Sequence, residues 1–183
     1  MNKMSRIDPL GTITIMAPGF ILMYQGNYSE ALPYIQKGVE REPENNIYKL
    51  FYSVVLACSG NRNDSLSFLK NKGPYGSTDF FSIALNIEIS ALLQKSDEVR
   101  SMVTSELKAW ALRDFQFSHL FAQIFCFSNM KEETFEWLEK SVNSGFCNYP
   151  LLSSKDPINQ LLKDEPRFQN LLVRMKKMWE EFE

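Results

Sequence analysis

Two Gly-Asn pairs, Gly26-Asn27 and Gly60-Asn61, stand 34 residues apart, and the residues after them keep the same phase. Laying residues 12–45 over 46–79 puts Ala31 on Ser65, Leu32 on Leu66 and Ile35 on Leu69. After one inserted residue the segment from Phe115 fits too. Asn129 stands at the turn and Thr134 at the small position, and Phe135, Leu138, Ser141 and Val142 follow in phase. Self-similarity at this period marks stacked supersecondary units, none of which can bury its apolar face alone.

The units are helix pairs. Sustained alternation of period two is scarce, and most long segments carry helical periodicity. Between residues 29 and 42, Ala31, Leu32, Ile35, Gly38 and Val39 form one helix face. Residues 47–58 are apolar almost all round, which predicts a helix sandwiched between neighbours. Further helices are expected over 80–94, 97–112, 115–128 and 131–144. Asp156-Pro157 reads as N-cap and first residue of a short helix to Lys163, because proline has no N–H to lose there. A last helix over 166–182 gathers Phe168, Leu171, Leu172, Met175, Trp179 and Phe182 on one face.

Each recurring residue has a physical task. Glycine at 26 and 60 lets the chain reverse where a Cβ would cost energy. Ala31, Ser65 and Thr134 are small enough for the second helix of a pair to approach the first, and Ile35, Leu69 and Leu138 fill the groove beyond. Pro43 stops a helix by pushing the preceding residue out of α geometry. Pro18 and Pro33 fall inside expected helices, where proline costs about 3 kcal/mol. Residues 80–113 form a degenerate third unit without a turn glycine.

With GNYSEAL and REP in the first unit, the pattern resembles the tetratricopeptide repeat. The resemblance implies one all-α domain over residues 1–183, an αα-hairpin solenoid of about four helix pairs with a C-terminal capping helix. The repeats are expected at 12–45, 46–79, 80–113 and 115–148, with the cap at 156–183. The tail, with FEWLEK, EPRFQNLL and WEEF, resembles the end of repeat regions in bacterial signalling and regulatory proteins. There the repeats follow adenylate-cyclase, protein-kinase or winged-helix domains. Ile7-Asp8-Pro9 resembles the close of a preceding repeat, so the chain is expected to begin within an array.

The resemblance also implies a binding face lined by first-helix residues spaced 3, 4 and 3. These are Ile13, Met16, Phe20 and Met23 in the first unit, and Ile47, Leu50, Val54 and Ala57 in the second. In the fourth they are Gln116, His119, Gln123 and Cys126, a polar strip. The expected partner-binding residues are therefore Ile13, Met16, Phe20, Met23, Gln116, His119 and Gln123. An apolar end would anchor a protein or peptide and a polar end would orient it. Co-chaperone repeats that grip a terminal carboxylate need Lys and Asn where Ile13, Met16 and Phe20 stand, which disfavours that partner.

Composition narrows the function further. Hydrophobic residues make up 44% and charged residues 23%, and the net charge of −2 leaves no basic footprint for nucleic acid. The apolar run at 13–24 is broken by Pro18 and Gly19 and is too short to span a bilayer. Cys58, Cys126 and Cys147 fit neither a disulfide framework nor a metal knuckle, and predict reduced, mostly buried thiols and a cytoplasmic protein. His119 is the single histidine. Cys126, two helical turns on, lies about 10 Å away, and no acid is spaced around His119 for a triad. No catalytic residue, cofactor or metal is expected. The leading expectation is a protein-binding module, and the alternative is a small-molecule-sensing regulatory domain. The apolar N-terminal edge predicts weak self-association.

Overall fold

A computed structural model describes residues 11–73, 75–76 and 78–181. Ile7, Asp8, Pro9 and Phe182 lie outside the described residues. The described chain is all-helical, without a strand, and its helices pack in neighbouring pairs. It forms two compact units, one up to Leu85 and one from Asn86.

In the first unit, α1 (Thr12–Tyr24) packs on α2 (Tyr28–Arg41), α2 on α3 (Asn46–Cys58), and α3 on α4 (Arg62–Lys72). The α1–α2 crossing is close because glycine stands on both sides of it. A Cβ on Gly19 would lie 2.7 Å from Ile35 Cγ1 and 3.1 Å from the Ala31 carbonyl oxygen. A Cβ on Gly38 would lie 2.1 Å from the Met16 sulfur. Met16, Ala31 and Ile35 are fully buried at this crossing. Both helices run through their prolines, Pro18 and Pro33. In the next pair Ser65 takes the small position, and its hydroxyl donates to the Ser53 carbonyl at 2.9 Å.

Helix α5 (Phe80–Leu92) begins in the first unit. Asp79 starts it by accepting the Phe81 and Ser82 amides. The Ser82 hydroxyl donates to Asp79, and Asn46 at the head of α3 donates to Ser82 at 3.0 Å.

The second unit continues with α6 (Ser96–Met102), α7 (Ser105–Ala111), α8 (Phe115–Phe127), α9 (Lys131–Asn143), a π turn (Leu151–Lys155), α10 (Pro157–Leu162) and α11 (Pro166–Glu180). The single helix expected over 97–112 is two. The chain leaves α geometry at Val103, and the Thr104 hydroxyl restarts it by accepting the Leu107 amide at 3.2 Å. Threonine competes with the helix by bonding nearby amides, which is why it favours caps over interiors.

One turn recurs throughout. Gly26, Gly60, Gln94 and Asn129 all have left-handed backbone, with φ of 73°, 94°, 61° and 58°. At each, that residue's amide donates three residues back and the next amide donates five back. For example, Gln94 donates to Ala91 and Lys95 to Ser90, while Asn129 donates to Cys126 and Met130 to Phe125. This pair of bonds closes a helix end by satisfying its last carbonyls. The third unit therefore has its turn in phase, with glutamine in the place of glycine. Five residues beyond each turn stand Ala31, Ser65, Val99 and Thr134, all fully buried.

The C-terminal elements keep the period for one more pair. Helix α10 packs on α8 and α9, and α11 packs on α9. Phe168, Leu172 and Met175 follow Thr134, Leu138 and Ser141 by 34 residues and are buried. Trp179 is partly exposed. Lys131 Nζ lies 2.9 Å from Glu165, and Arg167 grips Glu132 with both terminal nitrogens, one at 2.7 Å. Lys176 and Lys177 of α11 are exposed, as is Val173.

Candidate functional site

The residues expected to bind a partner fall into three environments. Met16 and Met23 are buried, Met16 beneath Gly38. Their spacing of seven puts them on the face of α1 that the pair itself consumes. Ile13 is 46% exposed, and Phe20 is half-buried with its ring edge-on to Phe51 at 5.0 Å. Ile21, outside the expected set, is 55% exposed. In the second compact unit, from Asn86 onward, Gln116 is exposed on the first turn of α8.

His119 and Gln123 are each only 4% exposed, and both are committed to Asp156. His119 Nε2 lies 2.9 Å from Asp156 Oδ2, and Gln123 Nε2 donates to the same oxygen at 2.8 Å. The other oxygen, Oδ1, accepts the Ile158 amide at 2.9 Å and so caps α10. A carboxylate only accepts hydrogen bonds, so Nε2 of His119 carries the proton between them. The Phe146 ring stacks on the imidazole at 4.3 Å. The polar strip on α8 is thus not an open orienting surface at His119 and Gln123. It receives the C-terminal segment, and one carboxylate ties the start of α10 to α8.

An acid does therefore meet His119, although none is spaced around it for a triad in the sequence. The sequence marked Asp156 as an N-cap, which occupies only one of its two oxygens. Nothing local shows that the second reaches a helix 37 residues earlier. The pairing places a base beside an orienting acid. Even so, one ring face is covered by Phe146 and the acid also holds the Gln123 side chain and the Ile158 amide. None of the three cysteines is in a disulfide; Cys126 is buried, while Cys58 and Cys147 are part-exposed rather than mostly buried as expected.

The second unit also carries an open cleft of about 280 Å³ at the α6–α7 break. Arg100 and Val103 line it from α6 and its end, Lys108 from α7, Phe125 from α8, and Glu133, Glu136 and Trp137 from α9. Its floor is aromatic. Phe125 and Trp137 are buried, and Trp137 stacks on Phe121 at 5.0 Å. Its rim is charged and mostly paired. Arg100 donates to Glu133 at 2.7 Å, which raises the arginine pKa, and Glu136 is bonded by Lys140. That Lys140 bond holds the Glu136 carboxyl below its usual range against partial burial, helped by the charges of Lys140 and Lys108. Lys108 is close enough to be felt there, yet no ion pair within bonding distance joins it to Glu136.

A second cleft, of about 340 Å³, lies in the first unit among Gln36, Val39, Glu40, Pro43, Tyr52, Phe68 and Lys72. Tyr52 and Phe68 meet edge-on at 4.8 Å within it. Burial raises the Tyr52 pKa, with Glu40 and Asp64 adding to it. Among the described residues, no helix is long and apolar enough to cross a membrane. No protein family, curated protein or solved structure matches this chain.

Proposed function

We propose that this protein is a helical-repeat module of the tetratricopeptide type that binds a protein or peptide and performs no chemistry of its own. The observation that carries the reading is the left-handed turn recurring at 26, 60, 94 and 129, twice without glycine. Repeats of this kind present rigid, pre-ordered surface between and beside their helices, which lowers the ordering cost of binding an extended segment. Ile13, Phe20 and Gln116 remain available from the expected contact set, and two clefts lie beside the helix pairs. The resemblance of the tail to bacterial regulators makes a part in a cytoplasmic signalling or transcriptional protein the matching context.

A small-molecule sensor built around Gln116, His119 and Gln123 is less favoured. The inner two of these side chains are spent on Asp156 and covered by Phe146.

The test is selection of the purified protein against a display library of random linear peptides. The reading expects a family of related sequences that bind saturably at micromolar Kd, about −8 kcal/mol. Repeated selections that enrich nothing above an unrelated helical protein would overturn it.

A further inference from the structure

Resting on the protein-binding reading, we propose that the cleft at the α6–α7 break is an anchor pocket for a partner segment, taking one bulky apolar side chain with an acidic residue beside it. The apolar part follows from the floor. Phe125 and Trp137 supply an aromatic base, Val103 supplies an aliphatic wall, and a cleft of about 280 Å³ is of side-chain size rather than drug size. Aromatic and aliphatic anchors in small pockets of this kind dominate protein interfaces.

The acidic part follows from the rim. Its two acids are already matched, Glu133 by Arg100, which Asp97 also meets at 3.3 Å, and Glu136 by Lys140. Among the described residues Lys108 is the one lining charge that stands in no ion pair, so the partner that it lacks is negative. A basic neighbour on the partner would meet Lys108 and be repelled.

The break itself gives the cleft its position. In the first, second and fourth pairs the second helix runs 14, 11 and 13 residues, but α6 ends after 7. A continuous helix would carry its next turn through the space where Val103 and Thr104 now leave α geometry.

The experiment measures binding of a fluorescent peptide, taken from a random-peptide selection on the full chain, to the wild type and to two variants. Val103→Glu places a charge on the wall, and Lys108→Glu reverses the rim without touching the core. Circular dichroism and melting curves check that both remain folded. The selected peptides are expected to pair a Leu, Phe or Trp with a neighbouring Asp or Glu. Each variant is expected to weaken binding at least about ten-fold. Changing the peptide's acid to Lys should restore binding to Lys108→Glu and abolish it for the wild type.

A peptide that binds both variants like the wild type, but is lost on Ile13→Glu or Gln116→Glu, would overturn the pocket and leave protein binding standing. Loss in Val103→Glu without any effect of Lys108→Glu would overturn the acidic requirement. If no peptide is enriched at all, the protein-binding reading falls, and the pocket with it.

Discussion

Gln94 and Asn129, one repeat apart, both hold left-handed backbone without being glycine, and Asn129 Nδ2 donates to Gln94 Oε1 at 3.3 Å. Gln94 Nε2 also donates to the Phe127 carbonyl at 2.6 Å, one of the orphan acceptors at the end of α8. The glutamine therefore offsets its own backbone strain by capping the next unit's first helix. Gln94→Ala should keep the strain and lose the bonds, whereas Gln94→Gly loses the bonds and relieves the strain. The alanine variant is expected to be the less stable of the two by about 1–2 kcal/mol in urea unfolding. Equal stabilities would mean that Gln94 is not left-handed in solution.

At the α1–α2 crossing, Gly19→Ala and Gly38→Ala should behave differently although both glycines are helical. Alanine gains about 1 kcal/mol of helix propensity at either place. At Gly19 the new methyl meets the branched Ile35 and the Ala31 carbonyl, which cannot swing away. At Gly38 it meets the sulfur and Cγ of Met16, 2.1 and 2.8 Å away, in a side chain that is fully buried but unbranched. Overpacking typically costs about 1–3 kcal/mol, so both variants are expected to lower the melting temperature, Gly19→Ala more than Gly38→Ala. The reverse order would put the close contact on the wrong glycine.

Asp156 serves three donors with one carboxylate, and its removal should be felt far from its own helix. Asp156→Ala takes from the buried His119 and Gln123 the acceptor that they share and removes the α10 cap. The combined cost is about 3 kcal/mol or more. Hydrogen exchange should accelerate over α10 and α11 together with the His119 turn of α8. Faster exchange confined to residues 157–162 would show that the tie to α8 carries no stability.

These features divide by what a sequence can express. Period, helix pairing and the small positions at Ala31, Ser65 and Thr134 were legible because they repeat at fixed spacing. The third unit was obscured because its turn residue is glutamine, whose left-handed state depends on a bond to the following unit. The α6–α7 break has a local signal, Thr104 ahead of a helical run, that the surrounding helical periodicity masks. Asp156 was read as a cap, but its pairing with His119 is a contact between distant segments. For Met16 and Met23 the resemblance implies a binding face, but it cannot tell a groove from a helix–helix crossing when glycine stands opposite.

Self-association through α1 has a cleaner probe than Met16, whose change to a charge would strike the core. Ile13 and Ile21 are exposed, and burying such a side chain is worth about 1.5–3 kcal/mol. Sedimentation of the wild type is expected to show weak dimerisation, and Ile13→Glu with Ile21→Glu should give a folded monomer. A wild type that stays monomeric at high concentration would assign this face to something other than a second copy.

Calorimetric titration of a selected peptide into the wild-type protein, repeated at several temperatures, tests the protein-binding claim most directly. The account predicts saturable one-to-one binding whose heat capacity change is negative, the mark of apolar surface leaving water. Binding heats that never saturate, or a heat capacity change near zero, would contradict it.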